Sequence, residues 1–192
     1  MFKELKPALS MLLLMTVLTG GVYPALITGL AQAIFPAQAN GSLLYLKEKP
    51  IGSTWVGQSF SQARYFWSRP SATSVVPYNA AASSGSNLGP LNPSLKEAIQ
   101  GRMARLLEGS PQQSTPIPVD LVTSSASGLD PHISAAAAMW QVSRVARERH
   151  LPEERVRELV HRHTEGRTFG ILGEARVHVL TLNLALDQEI TP

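Results

Sequence analysis

Hydroxyl, carboxylate and imidazole groups crowd into one stretch, LVTSSASGLDPHIS at 121–134. Thr123, Ser124, Ser125 and Ser127 place four hydroxyls within five positions, and Gly128, Asp130 and His132 follow. Three chemistries use these residue types. A serine beside a histidine base attacks an acyl group. Hydroxyls and a glycine backbone can cradle a phosphate. Alternatively, the hydroxyls and Asp130 satisfy backbone donors in a tight turn over 127–130 that leads to a helix at Ser134. The turn is the preferred expectation, because no neighbouring residue orients His132 as a base.

Other reactive patterns are missing from the sequence. There is no G-x-x-x-x-G-K-[ST], no G-x-G-x-x-G and no G-x-S-x-G elbow. His161 and His163 stand two apart in a helical stretch, so they point to different faces and do not share a metal. The chain has no cysteine, which excludes disulfides and thiolate metal sites. Its net charge is +3, with arginines mostly alternating with glutamates in the C-terminal third. That pattern is a solvated helix surface, without the basic stripe that nucleic acid requires. A second unusual stretch is YFWSRPSATSVVPYNAAASSGSNLGPLNPSL, 65–95, with turns, aromatics and one arginine. Loops of this kind on a scaffold tend to bind something.

The elements that must position these residues begin with an anchor. Residues 7–46 contain no Asp, Glu, Lys or Arg. Within them, 8–35 exceeds the roughly 20 apolar residues that cross a bilayer. We expect a tail at 1–7, a transmembrane helix at 8–35 and a soluble domain at 36–192. Gly21, Ala25, Gly29 and Ala33 recur every four residues and would let another helix approach closely in lipid. Pro24 should bend the helix beside them. A cleaved secretory signal is the competing reading, since AQA occurs at 31–33 and 37–39, but the apolar run continues well past Leu18. Lys3 and Lys6 precede the segment and Lys47 and Lys49 follow it, nearly balancing the orientation rule. The short tail favours a cytoplasmic N-terminus and an external domain.

After the anchor, 40–92 has turn signals and β-like pieces such as STWVGQSF, with no sustained helical period. Three one-sided helices are predicted to open at Asn92-Pro93, Ser134 and Pro152, the first ending at Gly109. Strands are predicted at VDLVT, 119–123, and RVHVLTLNL, 176–184. The order gives an α+β fold, a small sheet covered by about three helices.

In sequence order, several motifs together resemble one family. They are LKPALS (5–10), LTGGVYPALITGLAQ (18–32), QANGSL (38–43), VGQSF (56–60), YFWSRPSAT (65–73), YNAAASSGSNLGPLNP (78–93), IPVDLVTSSASGLDPHIS (117–134) and LNLALD (182–187). This is the C subunit of the Kdp-type potassium-transporting ATPase of bacteria, and the likeness covers nearly the whole chain. The sequence departs from it at Ser84, where a glycine is usual, and at Trp67. The resemblance implies a single-pass, non-catalytic accessory subunit of an ATP-driven importer in the bacterial inner membrane, its C-terminal domain periplasmic. Partners would be a channel-like potassium-binding subunit, a P-type ATPase subunit, a small single-helix subunit and membrane lipid. ATP and potassium would be handled by the complex, with no cofactor or metal on this chain. The family is described as a catalytic chaperone that raises the ATP affinity of the ATPase subunit; a periplasmic gate over the potassium path is the alternative. Nucleotide or partner contact would fall on Ser124, Ser125, Ser127, Gly128 and Asp130. Loops facing a partner would present Tyr65, Phe66, Arg69, Pro70, Ser71, Tyr78, Asn79, Ser86 and Asn87.

Overall fold

The structure is a computed structural model and describes residues 2–111 and 113–189. Met1, Gln112 and 190–192 of the predicted spans lie outside the described residues. The chain divides into two units, one running to Ile51 and one starting at Gly52.

The first unit opens with one apolar helix, Leu5–Ile34, long and apolar enough to cross a membrane and buried nowhere along its apolar window. It comprises α1 (Leu5–Val17), a π-helical turn (Leu18–Val22) and α2 (Tyr23–Ile34). The wide turn directly precedes Pro24, and the Tyr23 amide reaches back to the Leu18 carbonyl. A proline inside a helix removes one donor and crowds the preceding turn, and a π-helical turn relieves that crowding. Thr19 donates its hydroxyl to the Met15 carbonyl at 2.7 Å, hiding its polarity along the helix. Ala25, Gly29 and Ala33 lie on α2, whereas Gly21 falls in the wide turn. A short helix α3 (Pro36–Ala39) and a hairpin of β1 (Leu43–Leu46) and β2 (Lys49–Ser53) follow. Lys47 and Glu48 at its tip are both left-handed, as a two-residue turn between twisted strands requires.

The second unit is α+β. Its helices are α4 (Pro93–Gly109), α5 (Ala135–Arg149), α6 (Glu153–Arg162) and α7 (Val179–Gln188). Asn92 accepts the Ser94 amide and Ser134 accepts the Ala137 amide, so both predicted caps form. The sheet has the order β3 (His132–Ser134), β5 (Arg176–His178), β4 (Thr164–Glu165), all antiparallel. Ile133 pairs with Val177 and His132 with His178. Phe66, Ile133, Val142, Val156, Val177 and Leu182 form the heart of the core.

Three strand expectations are corrected. VDLVT is a 3-10 turn at Val119–Leu121. Alternation would put Val119 and Leu121 on one side, yet Val119 is 70% exposed while Leu121 and Val122 are both buried. Asp120 instead accepts the Ser134 amide at 2.7 Å, and Thr123 donates to the Val119 carbonyl at 2.8 Å. RVHVLTLNL is a strand only to His178 and then becomes α7. Val179, Leu182, Asn183 and Leu186 are buried at helical spacing. STWVGQSF holds one strand residue, Ser53, and a single bridge from Ser53 to Val56.

Candidate functional site

The two stretches singled out by sequence meet. Ser71 Oγ donates to the Gly128 carbonyl at 2.7 Å and accepts the Tyr78 amide at 2.9 Å. Thr73 Oγ1 accepts the Asn79 amide, and Asn79 in turn caps the Ala81 amide. The Ser127 carbonyl accepts both the Ser84 amide and the Ser83 hydroxyl at 3.0 Å. The 57–59 segment joins through the Gly57 amide, which donates to the Leu129 carbonyl at 2.8 Å.

The hydroxyl loop spends its polar atoms on its own backbone. Ser125 Oγ accepts the Gly128 amide at 2.8 Å and Ser127 Oγ accepts the Leu129 amide at 3.2 Å. Asp130 accepts the His132 amide at 3.0 Å. Ser124 is half-buried beside them. Gly128 has φ +67°, and a Cβ there would lie 2.6 Å from the Ser84 carbonyl oxygen. Only glycine fits both the backbone and the space. The expected satisfaction of backbone donors by hydroxyls and Asp130 is what forms, on a bend over 126–128 and not on a backbone-bonded turn at 127–130.

Asp130 links the turn to the aromatic loop. Arg69 donates to its carboxylate at 2.9 Å and His132 Nδ1 lies 3.3 Å away. Burial alone would raise the Asp130 pKa. The hydrogen bonds from the His132 ring and amide, with the Arg69 guanidinium, outweigh burial and hold it at about 2. The same His132 contact directs its Nδ1 at a carboxylate, so the imidazole is not poised over a serine. Tyr78 donates to the Arg69 carbonyl at 2.5 Å, and burial raises its pKa.

Several partner-facing candidates have other tasks. Phe66 is 0% exposed, so its ring anchors the loop in the core and is not part of an outward surface. Tyr65 donates to Asp187 at 3.1 Å and is stacked by Arg64 and Arg149. Arg69, Pro70, Ser71, Tyr78 and Asn79 are half-buried, and Ser86 and Asn87 are exposed. In the first unit Gly21, Ala25, Gly29 and Ala33 are all exposed.

Sequence reasoning missed how 63–67 is held. Asn183 on α7 accepts the Phe66 amide at 2.8 Å and donates to its carbonyl at 3.0 Å. Gln141 on α5 does the same for Trp67, at 2.8 and 3.1 Å. Arg144, 1% exposed, donates to the Ala63 and Tyr65 carbonyls and lies 4.0 Å over the Trp67 ring. Burial lowers its pKa to about 10, which leaves it charged near neutrality. Arg149 donates to the Arg64 carbonyl at 2.7 Å. The available signal was a polar residue on an otherwise apolar helix face, as in MWQV and LNLALD. His178 was also missed. Its Nδ1 accepts the Thr181 amide and its Nε2 donates to the Thr54 carbonyl, so these partners require a neutral ring. Burial lowers its pKa.

Among the described residues no group of three or more His, Asp or Glu could hold a metal ion. The arrangement is a scaffold of loops held largely by their own hydrogen bonds, with Arg69 Nε and Arg144 Nε buried and unpartnered. Over residues 5–188 the chain matches the family described as KdpC: K+-transporting ATPase, c chain. The chain belongs to the KdpC family. Its relatives include several that bear the name potassium-transporting ATPase KdpC subunit. That of Polaromonas naphthalenivorans is 58% identical, covering 95% of this chain and 93% of its own. That of Herpetosiphon aurantiacus is 59% identical over 95% of both. That of Sorangium cellulosum is 58% identical over 97% of this chain and 98% of its own. As a KdpC-family member the chain is an accessory subunit of a potassium-transporting ATPase, with a role in potassium import and partner subunits in the complex.

Proposed function

We propose that this subunit stabilises assembly of the ATP-driven importer and, as a catalytic chaperone, raises the ATP affinity of the P-type ATPase subunit without touching nucleotide itself. The observation that carries this reading is the hydroxyl loop. The Gly128 and Leu129 amides, which a phosphate would need, are occupied by Ser125 and Ser127. An effect on ATP then acts through the partner. The chain passes once through the inner membrane by Leu5–Ile34, with its short N-terminal tail cytoplasmic and its domain periplasmic. It contacts a channel-like potassium-binding subunit, the P-type ATPase subunit, a small single-helix subunit and lipid. ATP and potassium are handled by the complex.

The test is the triple variant Ser125→Ala, Ser127→Ala, Asp130→Asn in the purified complex. Subunit recovery and the KM for ATP are measured together. The expected result is lower recovery with an unchanged KM in whatever complex forms. Normal recovery with a selectively raised KM for ATP would overturn the reading and return the loop to nucleotide contact.

A further inference from the structure

Most arginines of the second unit are in ion pairs, as Arg149 is with Asp187 and Arg155 with Glu189. Arg102 and Arg105 are not. They stand three apart on α4 and so share a face. Among the described residues neither has a carboxylate within the 4.0 Å of an ion pair. Arg102 spends one nitrogen on the Val122 carbonyl at 2.7 Å, and Arg105 lies 5.5 Å over the Trp67 ring. Burial lowers the Arg102 pKa, and no neighbouring acid offsets it. A partly desolvated cation without a partner is costly, and an arriving counter-charge removes that cost.

Both arginines line a cleft of about 360 Å³ walled by Trp67, Tyr78 and Leu106, with Arg69 at its edge. No Asp or Glu lines it. Arg69 is already matched by Asp130, so the unmatched charge is that of Arg102 and Arg105.

We propose that this cleft takes an acidic side chain, Asp or Glu, from a partner subunit of the complex. The inference rests on the assembly role and adds the contact that serves it. Two planar guanidiniums on one helix face suit a carboxylate, which each can grip with two hydrogen bonds. The volume suits a side chain entering between aromatic walls. An anionic membrane surface fits less well, because it needs a broad cluster of cations. Residues 70–95, whose Pro70, Ser71, Pro77 and Tyr78 line the cleft, contain no Lys or Arg.

The experiment is co-purification of the whole complex in mild detergent through this subunit, comparing wild type with Arg102→Glu/Arg105→Glu. Recovery of a P-type ATPase and a channel-like subunit by wild type establishes the assembly role independently. Against that baseline the double variant should recover at least about tenfold less partner, as loss of a buried interfacial charge pair does. Arg102→Lys/Arg105→Lys, which keeps charge without the fork, should fall between. Thermal melting of each full-length variant in detergent checks folding. If the double variant melts early, Arg105→Gln alone replaces it, since Arg105 is exposed and outside the core. Recovery equal to wild type in a folded variant overturns the proposal. So does intact recovery with lost binding to phosphatidylglycerol vesicles, which assigns the cleft to a lipid headgroup. Failure of wild type itself to bring down partners removes the assembly role, and this inference falls with it.

Discussion

Two irregular segments of the second unit are held by opposite means. The amides of the 123–130 segment are held by short hydroxyls two or three residues away, as Ser127 is from Leu129 and Ser125 from Gly128. The 63–67 segment is held by long polar side chains reaching from helices 74 and 117 residues away. The amide caps of the first form once the local chain is bent, while its carbonyls wait for Ser71, Ser83, Ser84 and Gly57 from the loops before it. The second exists only when α5 and α7 are already packed. In the first, Ser127 is exposed and the Leu129 amide it accepts is within reach of water, so the loss of that hydroxyl is partly made good by solvent. A backbone amide in the second is buried, and an orphaned buried donor carries its full desolvation cost.

That difference sets the order of effects. Asn183→Leu keeps the volume but strands both the amide and the carbonyl of Phe66, and should cost about 2–5 kcal/mol in denaturant unfolding. Gln141→Leu should do the same for Trp67. A loss under about 1 kcal/mol from either would remove the contrast. Gly128→Ala comes next, since it strains the left-handed backbone and crowds the Ser84 carbonyl; thermal or chemical melts should show about 1–3 kcal/mol. Ser125→Ala and Ser127→Ala should each cost about 1 kcal/mol, and a larger loss would show the turn to be as dependent on its partners as the clamp.

Acid separates the regions further. His178 must be neutral to cap α7, and its folded pKa lies below the ordinary 6.5. The unfolded chain therefore binds the proton more readily, and stability present above pH 6.5 declines as pH falls towards the lower folded value. Asp130 acts at lower pH: its contribution is full above the ordinary 3.8 and is lost as pH falls through about 2. Melting temperature against pH should show two declining limbs. His178→Asn, which can still cap, should flatten the first, and Asp130→Asn the second. Smallest of all, Arg157→Ala breaks an exposed pair with Glu153 on α6 and should shift stability by less than about 1 kcal/mol.

The same contrast explains what the sequence revealed. Starts of α4 and α5 were legible because Asn92 and Ser134 cap within three residues. The satisfaction of backbone donors around 127–130 was legible for the same reason, its donors and acceptors being neighbours. α7 was misread because β-branched Val177, Val179 and Thr181 alternate at its start and its cap is a histidine, outside the usual set of Asn, Asp, Ser and Thr. VDLVT was misread because Asp120 serves Ser134, fourteen residues on. The convergence of the aromatic loop on Gly128 and Asp130 could not be read at all, since Ser71 and Arg69 are 57 and 61 residues from their partners. The inward turn of Phe66 followed from Asn183, and no local pattern announces it.

The clamp on 63–67 grips main-chain atoms, which every amino acid carries. At positions 63 and 64 it is therefore indifferent to spelling and sensitive to count. Replacing Ala63 or Arg64 by another exposed-tolerant residue leaves each amide and carbonyl where Gln141, Arg144, Arg149 and Asn183 expect them. Inserting or deleting one residue there shifts the whole row out of reach, and four helix side chains lose their partners together.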